Sequence, residues 1–190
     1  MAEEQDLENV RRVLGGDLAA FEDIVRRWQG PLINLAFRFC RDRPRAEEMA
    51  QDAFVQIYRN LEKFRADSAF STWIFAVSLN LYRSVMRRKP PPTESIDCVA
   101  ELPGGQMPHL QLEQNERDEM VRRSVASLPA RYRDVVIVFY FREKDLRETA
   151  AILGLSEGTA KARLHRGREL LKRKMDAGSS GVAAVREVYL

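Results

Sequence analysis

Residues 146–168 read Leu146-Arg-Glu-Thr-Ala-Ala-Ile-Leu-Gly-Leu-Ser-Glu-Gly-Thr-Ala-Lys-Ala-Arg-Leu-His-Arg-Gly-Arg168. Leu146, Ala150 and Leu153 recur at helical spacing and mark the inward side of a short helix. Gly154 follows where a helix commonly ends in a left-handed cap, a conformation glycine adopts without penalty. Ser156 is a favoured N-cap residue and opens a second helix. Helix, three-residue turn, helix is the grammar of a helix-turn-helix unit.

On a wheel advancing about 100° per residue, the second helix divides into two faces. Ala160, Leu164, Gly167 and Leu171 share one side and are predicted to pack on the domain. Gly158, Lys161, Ala162, His165, Arg166 and Glu169 share the other. The small residues near its start let the backbone approach DNA closely. Lys161 and Arg166 can donate to guanine edges, His165 can bond or stack on a base, and Ala162 can touch a thymine methyl. Arg147, Ser156, Thr159, Arg163 and Arg168 are better placed for phosphates, which position a protein without specifying sequence. The alternative reading of the same residues is a solvated basic helix face.

Charge distribution weighs between the two. Residues 115–176 hold 15 Lys and Arg against 10 Asp and Glu. Seven of those basic residues fall within 157–174, opposed only by Glu157 and Glu169. One helix-length segment thus carries an excess equal to that of the whole block, which is the electrostatic footprint of a nucleic-acid partner.

The block around this unit is predicted to be helical throughout. Met120, Val121, Ser124 and Val125 start it, and Leu128-Pro129 interrupts it. Val135-Val-Ile-Val-Phe-Tyr140 is apolar enough for a buried strand, but nothing nearby offers a strand to pair with, so a helix is predicted.

Residues 17–89 read as three amphipathic helices. Phe21, Ile24, Val25, Trp28, Leu32, Leu35, Ala36 and Phe39 form the first stripe, with a kink expected at Gly30-Pro31 because proline removes an intrahelical bond. Ala46, Met49, Ala50, Ala53, Phe54, Ile57, Tyr58 and Leu61 form the second, with Pro44 in the first turn and Glu47 and Glu48 favoured by the helix dipole. Phe70, Trp73, Ile74, Val77, Leu81 and Val85 form the third, ending on Arg87-Arg88-Lys89. The expected fold is all-α, with two small helical domains, one of three to four helices at 1–89 and one of four helices at 115–176, and a tail at 177–190. Between the domains, residues 90–114 hold Pro90-Pro91-Pro92, Pro103-Gly104-Gly105 and four carboxylates but no Lys or Arg, the composition of an extended linker.

Several function classes drop out. Cys40, Cys98, His109 and His165 show no metal-ligand spacing, and no cofactor is expected. No nucleophile-base set, paired catalytic carboxylates or phosphate-cradling glycine loop points to an enzyme. The acidic start and the lack of a long apolar run predict a cytoplasmic protein.

Three blocks together resemble the extracytoplasmic-function sigma factors, the two-domain minimal class of the sigma-70 superfamily. Ala46-Glu-Glu-Met-Ala-Gln-Asp-Ala-Phe-Val-Gln-Ile-Tyr58 resembles the family helix that docks on the polymerase clamp, although Gln51-Asp52 stands where the family has Gln-Glu. Phe64-Arg-Ala-Asp-Ser-Ala-Phe-Ser-Thr-Trp-Ile74, continuing to Asn80, resembles the loop and helix that read the minus-ten element. Leu128-Pro-Ala-Arg-Tyr-Arg133 with the helix-turn-helix resembles the reader of the minus-thirty-five element.

The resemblance implies roles. Glu48, Gln51, Asp52, Val55, Gln56 and Arg59 would face the polymerase clamp; a solvated face is the alternative. The loop Phe64–Ala69, which includes Asp67 and Ser68, would capture a flipped base together with Asn80, and Arg65, Arg83, Arg87 and Arg88 would hold phosphates. Trp73 would stack during strand separation or else belong to the core. Ser71 stands where the family often has arginine, so one phosphate contact is missing or moved. The implied partners are core RNA polymerase (clamp and flap), promoter DNA and an anti-sigma protein, and the acidic linker would occupy the polymerase's nucleic-acid channel as an anionic mimic. A free-standing helix-turn-helix regulator is the competing reading.

Overall fold

A computed structural model describes residues 2–88, 118–141 and 145–175. The linker reading for 90–114, with Cys98 and His109, and the tail reading for 177–190 lie outside the described residues. The chain divides into two compact units, Met1–Ile96 and Asp97–Leu190. Every regular element among the described residues is a helix.

The first unit opens with a helix that apolar periodicity does not reveal, α1 (Ala2–Leu14). Glu3 and Glu4 lie in its first turn and Arg11 and Arg12 in its last, matching the dipole at both ends. Its buried face is Asp6, Asn9 and Val10. A mostly polar inner face gives no apolar stripe. Asp6 compensates its burial locally: the Trp28 indole N–H donates to Asp6 Oδ1 at 3.2 Å, and Arg27 Nε lies 3.4 Å away. Loss of hydration still leaves the Asp6 carboxyl above its ordinary range, despite those two neighbours.

α2 (Ala19–Cys40) buries Ile24, Trp28, Leu32, Leu35, Ala36 and Phe39, while Phe21 and Val25 are half-buried. It runs as one helix through Gly30 and Pro31, so the proline does not break it. Its last turn closes on Arg41, which takes the left-handed conformation (φ 59°) usually left to glycine. Cys40 is buried beside this cap, and desolvation pushes its thiol up.

α3 (Arg43–Asn60) starts at Asp42, whose side chain accepts from the Arg45 N–H at 2.9 Å, with Pro44 in the first turn. We expect Asp42→Ala to destabilise the first unit by about 1 kcal/mol, seen as a lower midpoint with an unchanged slope in urea unfolding. The core stripe holds from Ala46 to Ile57 and on to Leu61, but Tyr58 is 47% exposed. Leu61–Lys63 forms a 3-10 turn before loop 64–69. In this loop Ala66 adopts a positive φ of 57°.

α4 (Phe70–Arg88) corrects the sequence expectation. Its buried residues are Phe70, Thr72, Ile74, Phe75, Ser78, Leu79 and Tyr82, whereas Trp73, Val77, Leu81 and Val85 are only half-buried. The core face lies about a quarter turn around the helix from the predicted stripe. Apolar residues occupy both flanks, so their period alone does not choose between them. Ser78 enters the core by donating its hydroxyl to the Ile74 carbonyl at 2.8 Å. Tyr82 does so by donating to the Leu32 carbonyl at 3.2 Å, across to α2. α2 packs on α3, α3 on α4, and α1 lies against α2, α4 and the 3-10 turn.

The second unit contains α5 (118–126), α6 (Ala130–Phe141), α7 (Leu146–Leu153) and α8 (Glu157–Lys174). α6 buries Asp134, Val135, Val136, Ile137, Val138 and Tyr140. A helix covered nearly all round shows no amphipathic period, which is why residues 135–140 mimic a strand. α7 and α8 both pack on α6 and on each other. None of the described helices is long and apolar enough to cross a membrane.

Candidate nucleic-acid interface

The turn between α7 and α8 is fixed by side-chain caps and one glycine. Asp145 caps α7 by accepting from the Glu148 N–H at 2.7 Å. Gly154 ends it at φ 64°, and the Leu155 N–H returns to the Ala150 carbonyl at 2.9 Å. Ser156 caps α8: its Oγ accepts from the Thr159 N–H at 3.2 Å and donates to Thr159 Oγ1 at 2.8 Å.

α8 buries Ala160, Leu164, Gly167 and Leu171, the four residues its wheel assigns inward. Gly158, Lys161, Ala162, His165 and Arg166 are exposed together on the opposite side, and Glu169 is half-buried. Arg166 donates to Glu169 at 2.7 Å, and that hydrogen bond holds the Glu169 carboxyl below its ordinary value. Arg147 and Ser156 are exposed beside this face, and Thr159 and Arg163 are half-buried.

Arg168 is differently engaged. Its Nε donates to the Tyr140 hydroxyl at 2.9 Å, and its guanidinium lies over the Phe139 and Tyr140 rings at 5.3 and 5.5 Å from their centroids. The side chain therefore ties α8 to α6. Charge counting cannot separate such a tie from a phosphate ligand.

In the first unit, loop 64–69 stands over an aromatic cluster. Phe64 meets Phe70 edge-on at 5.3 Å between centroids and tilts against Trp73 at 5.4 Å, while Phe70 and Trp73 stack at 5.7 Å. Phe70 is fully buried and forms the floor, with Phe64 and Trp73 half-buried above it. Trp73 thus stands at the rim, neither wholly core nor free. Arg65, Ala66, Asp67 and Ser68 are exposed, and Ser71 is half-buried. Along α4, Trp73, Val77, Asn80, Ser84 and Arg87 fall on one face at about 100° per residue. Asn80, Arg87 and Arg88 are exposed and Arg83 is half-buried.

A third surface lies on α3. Glu48, Gln51, Asp52, Val55 and Arg59 are exposed and Gln56 is half-buried. Tyr58, which the sequence stripe counted as core, joins them at the surface. Its ring meets Phe21 edge-on at 5.1 Å. Val55 at 48% and Tyr58 at 47% exposure make this an apolar spot inside a polar face.

Two family regions match this chain, in order: Sigma-70 region 2 over residues 24–90 and Sigma-70, region 4 over residues 118–171. The ECF RNA polymerase sigma factor SigW of Bacillus subtilis is 30% identical over 178 residues, spanning 88% of this chain and 95% of that protein. The structure of CnrH in complex with the cytosolic domain of CnrY matches with a TM-score of 0.68 at 24% identity, over 92% of this chain and 99% of that one. The sigma factor RpoE of Bartonella quintana, in complex with the anti-sigma factor NepR, matches with a TM-score of 0.60 at 21% identity, over 84% of this chain and 98% of that one. With both regions in sequence and a named relative aligned over nearly its full length, the chain belongs to the ECF RNA polymerase sigma factors of the sigma-70 family.

Proposed function

We propose that this sigma factor docks on core RNA polymerase through the outer face of α3 and reads two promoter elements with its two units. Glu48, Gln51, Asp52, Val55, Gln56 and Arg59 meet the polymerase clamp, with Tyr58 added to the set. In the second unit Lys161, Ala162, His165 and Arg166 touch base edges of the minus-thirty-five element in the major groove. Arg147, Ser156, Thr159 and Arg163 hold phosphates around them. In the first unit Phe64, Arg65, Asp67, Ser68 and Asn80 enclose a base extruded from the minus-ten element. Trp73 stacks at the rim of that pocket, and Arg65, Ser71, Arg83, Arg87 and Arg88 follow the strand backbone. Extrusion costs roughly a few kcal/mol, which stacking and hydrogen bonds in such a pocket offset.

The observation that carries this reading is the split of α8. Four buried residues fix its orientation, and the opposite side presents Gly158, Lys161, Ala162, His165 and Arg166 together. The work is binding and strand separation, and no bond-making step falls to the chain. Its place is the cytoplasm, where the polymerase is. An anti-sigma protein is a further partner, on the precedent of RpoE with NepR.

Footprinting with core polymerase and genomic fragments tests the proposal. Two separate protected blocks upstream of each start, present only when core polymerase is added, support it. One block protected equally well without polymerase would favour a free-standing regulator.

Arg168 is assigned to holding α8 against α6. Arg168→Ala is expected to destabilise the second unit by about 1 kcal/mol through loss of one hydrogen bond and the cation–π contact. The ranking of minus-thirty-five sequences, measured by competition binding of the holoenzyme, stays the same.

A further inference from the structure

α1 lies outside the matched region 24–90, yet it reaches the aromatic cluster by a short chain of contacts. Asp6, with its side chain only 4% exposed, accepts from the Trp28 indole at 3.2 Å. Trp28 is itself buried, and its ring meets Phe75 edge-on at 5.6 Å and Phe70 at 6.4 Å. Phe70 is the floor on which Phe64 and Trp73 rest. The indole N–H is the only donor on its ring, so its partner fixes which way the ring is turned. Edge-to-face pairs depend on ring orientation, so a rotation of Trp28 moves the surface presented to Phe70. α1 also packs on the 3-10 turn Leu61–Lys63, from which loop 64–69 departs.

We infer that Asp6 is a positioning residue for the minus-ten pocket, acting through the hydrogen bond that orients Trp28 beneath Phe70. The inference rests on the proposed reading of loop 64–69 as the base-capturing site. It assigns α1 a part in promoter opening, separate from polymerase docking on the outer face of α3.

The test uses holoenzyme assembled from core polymerase and the full chain. The probe is a single-stranded non-template oligonucleotide covering the minus-ten region of a start site mapped with the wild type. Asp6→Leu, which cannot accept from the indole, is expected to weaken oligonucleotide binding about tenfold, with affinity for core polymerase within twofold of wild type. Asp6→Asn keeps an acceptor oxygen and should stay within about threefold of wild type on the oligonucleotide. Adding Trp28→Phe to Asp6→Leu should cost little more than Asp6→Leu alone, since both remove the same link. Should Asp6→Leu fail to fold, Trp28→Phe alone carries the same expectation, because it removes the donor and keeps an aromatic ring in place. Unchanged oligonucleotide binding by Asp6→Leu would overturn the proposal. Equal losses for oligonucleotide and core polymerase would also overturn it, since Asp6 would then only hold the unit together. If the wild-type holoenzyme bound no oligonucleotide, the reading of the loop would fall, and this inference with it.

Discussion

Reversing two charges on α8, Lys161→Glu with Arg166→Glu, is expected to lower promoter-directed transcription roughly 100-fold, because each good base contact is worth about 1–3 kcal/mol. Both side chains are exposed on the face opposite Leu164 and Leu171, so neither supports the core. Arg166 exchanges one link, its 2.7 Å ion pair with Glu169, and an exposed pair at three-residue spacing contributes only a few tenths of a kcal/mol. The folded unit should therefore survive, which circular dichroism and thermal unfolding check. Introduced carboxylates would face phosphates and base acceptors, so the loss includes repulsion as well as missing contacts. Assembly with core polymerase should be unaffected, since the α3 surface is untouched. Transcription at the wild-type level would mean that the basic face is only solvated.

The second large effect is expected at Gly167, on the buried face of α8 against α6. A β-carbon there would stand 2.9 Å from the Val136 Cγ2 and 3.7 Å from the Tyr132 Cβ. Val136 is fully buried and β-branched, so it has little room to turn away. Replacing a mid-helix glycine by alanine ordinarily gains about 1 kcal/mol of helix propensity. Here overpacking, which costs typically about 1–3 kcal/mol, opposes that gain and leaves Gly167→Ala near neutral or mildly destabilising. Gly167→Leu brings three more carbons into the same contact and should cost the second unit about 3 kcal/mol or more. Urea unfolding followed by helix content reads the difference directly, and the first unit's transition should not shift. Full stability in Gly167→Leu would contradict the close approach of α6 and α8.

What was legible in the sequence follows from which signals are local. Ser156 and Gly154 act within a few residues of themselves, so the α8 cap and the turn before it are read directly. The division of α8 into an inward face and an outward face carrying Lys161, His165 and Arg166 is equally plain, and its four inward residues are the four buried ones. A fourth helix in the first unit is open from the sequence but has no apolar stripe to place it, because the anchor of α1 is a carboxylate whose partner, Trp28, lies 22 residues away. The apolar period of α4 does not give its core side, because Phe75, Leu79 and Tyr82 compete with Trp73, Val77 and Leu81, and only packing on α2 and α3 chooses between them. Tyr58 fits the α3 stripe by spacing, yet it lies at the surface against Phe21. Arg168 counts as one more positive charge until its bond to Tyr140 is seen. In the two units the helical framework was thus written locally, whereas the details of the candidate surfaces depended on pairings distant in sequence.

This chain gives core RNA polymerase its promoter specificity. The most direct measurement is transcription in a defined system of purified core polymerase, this protein and fragmented genomic DNA, with every start mapped. That function requires discrete starts that appear only with this protein, share two upstream elements, and vanish with Lys161→Glu and Arg166→Glu. DNA binding by the protein alone, with no initiation from any fragment, would contradict it.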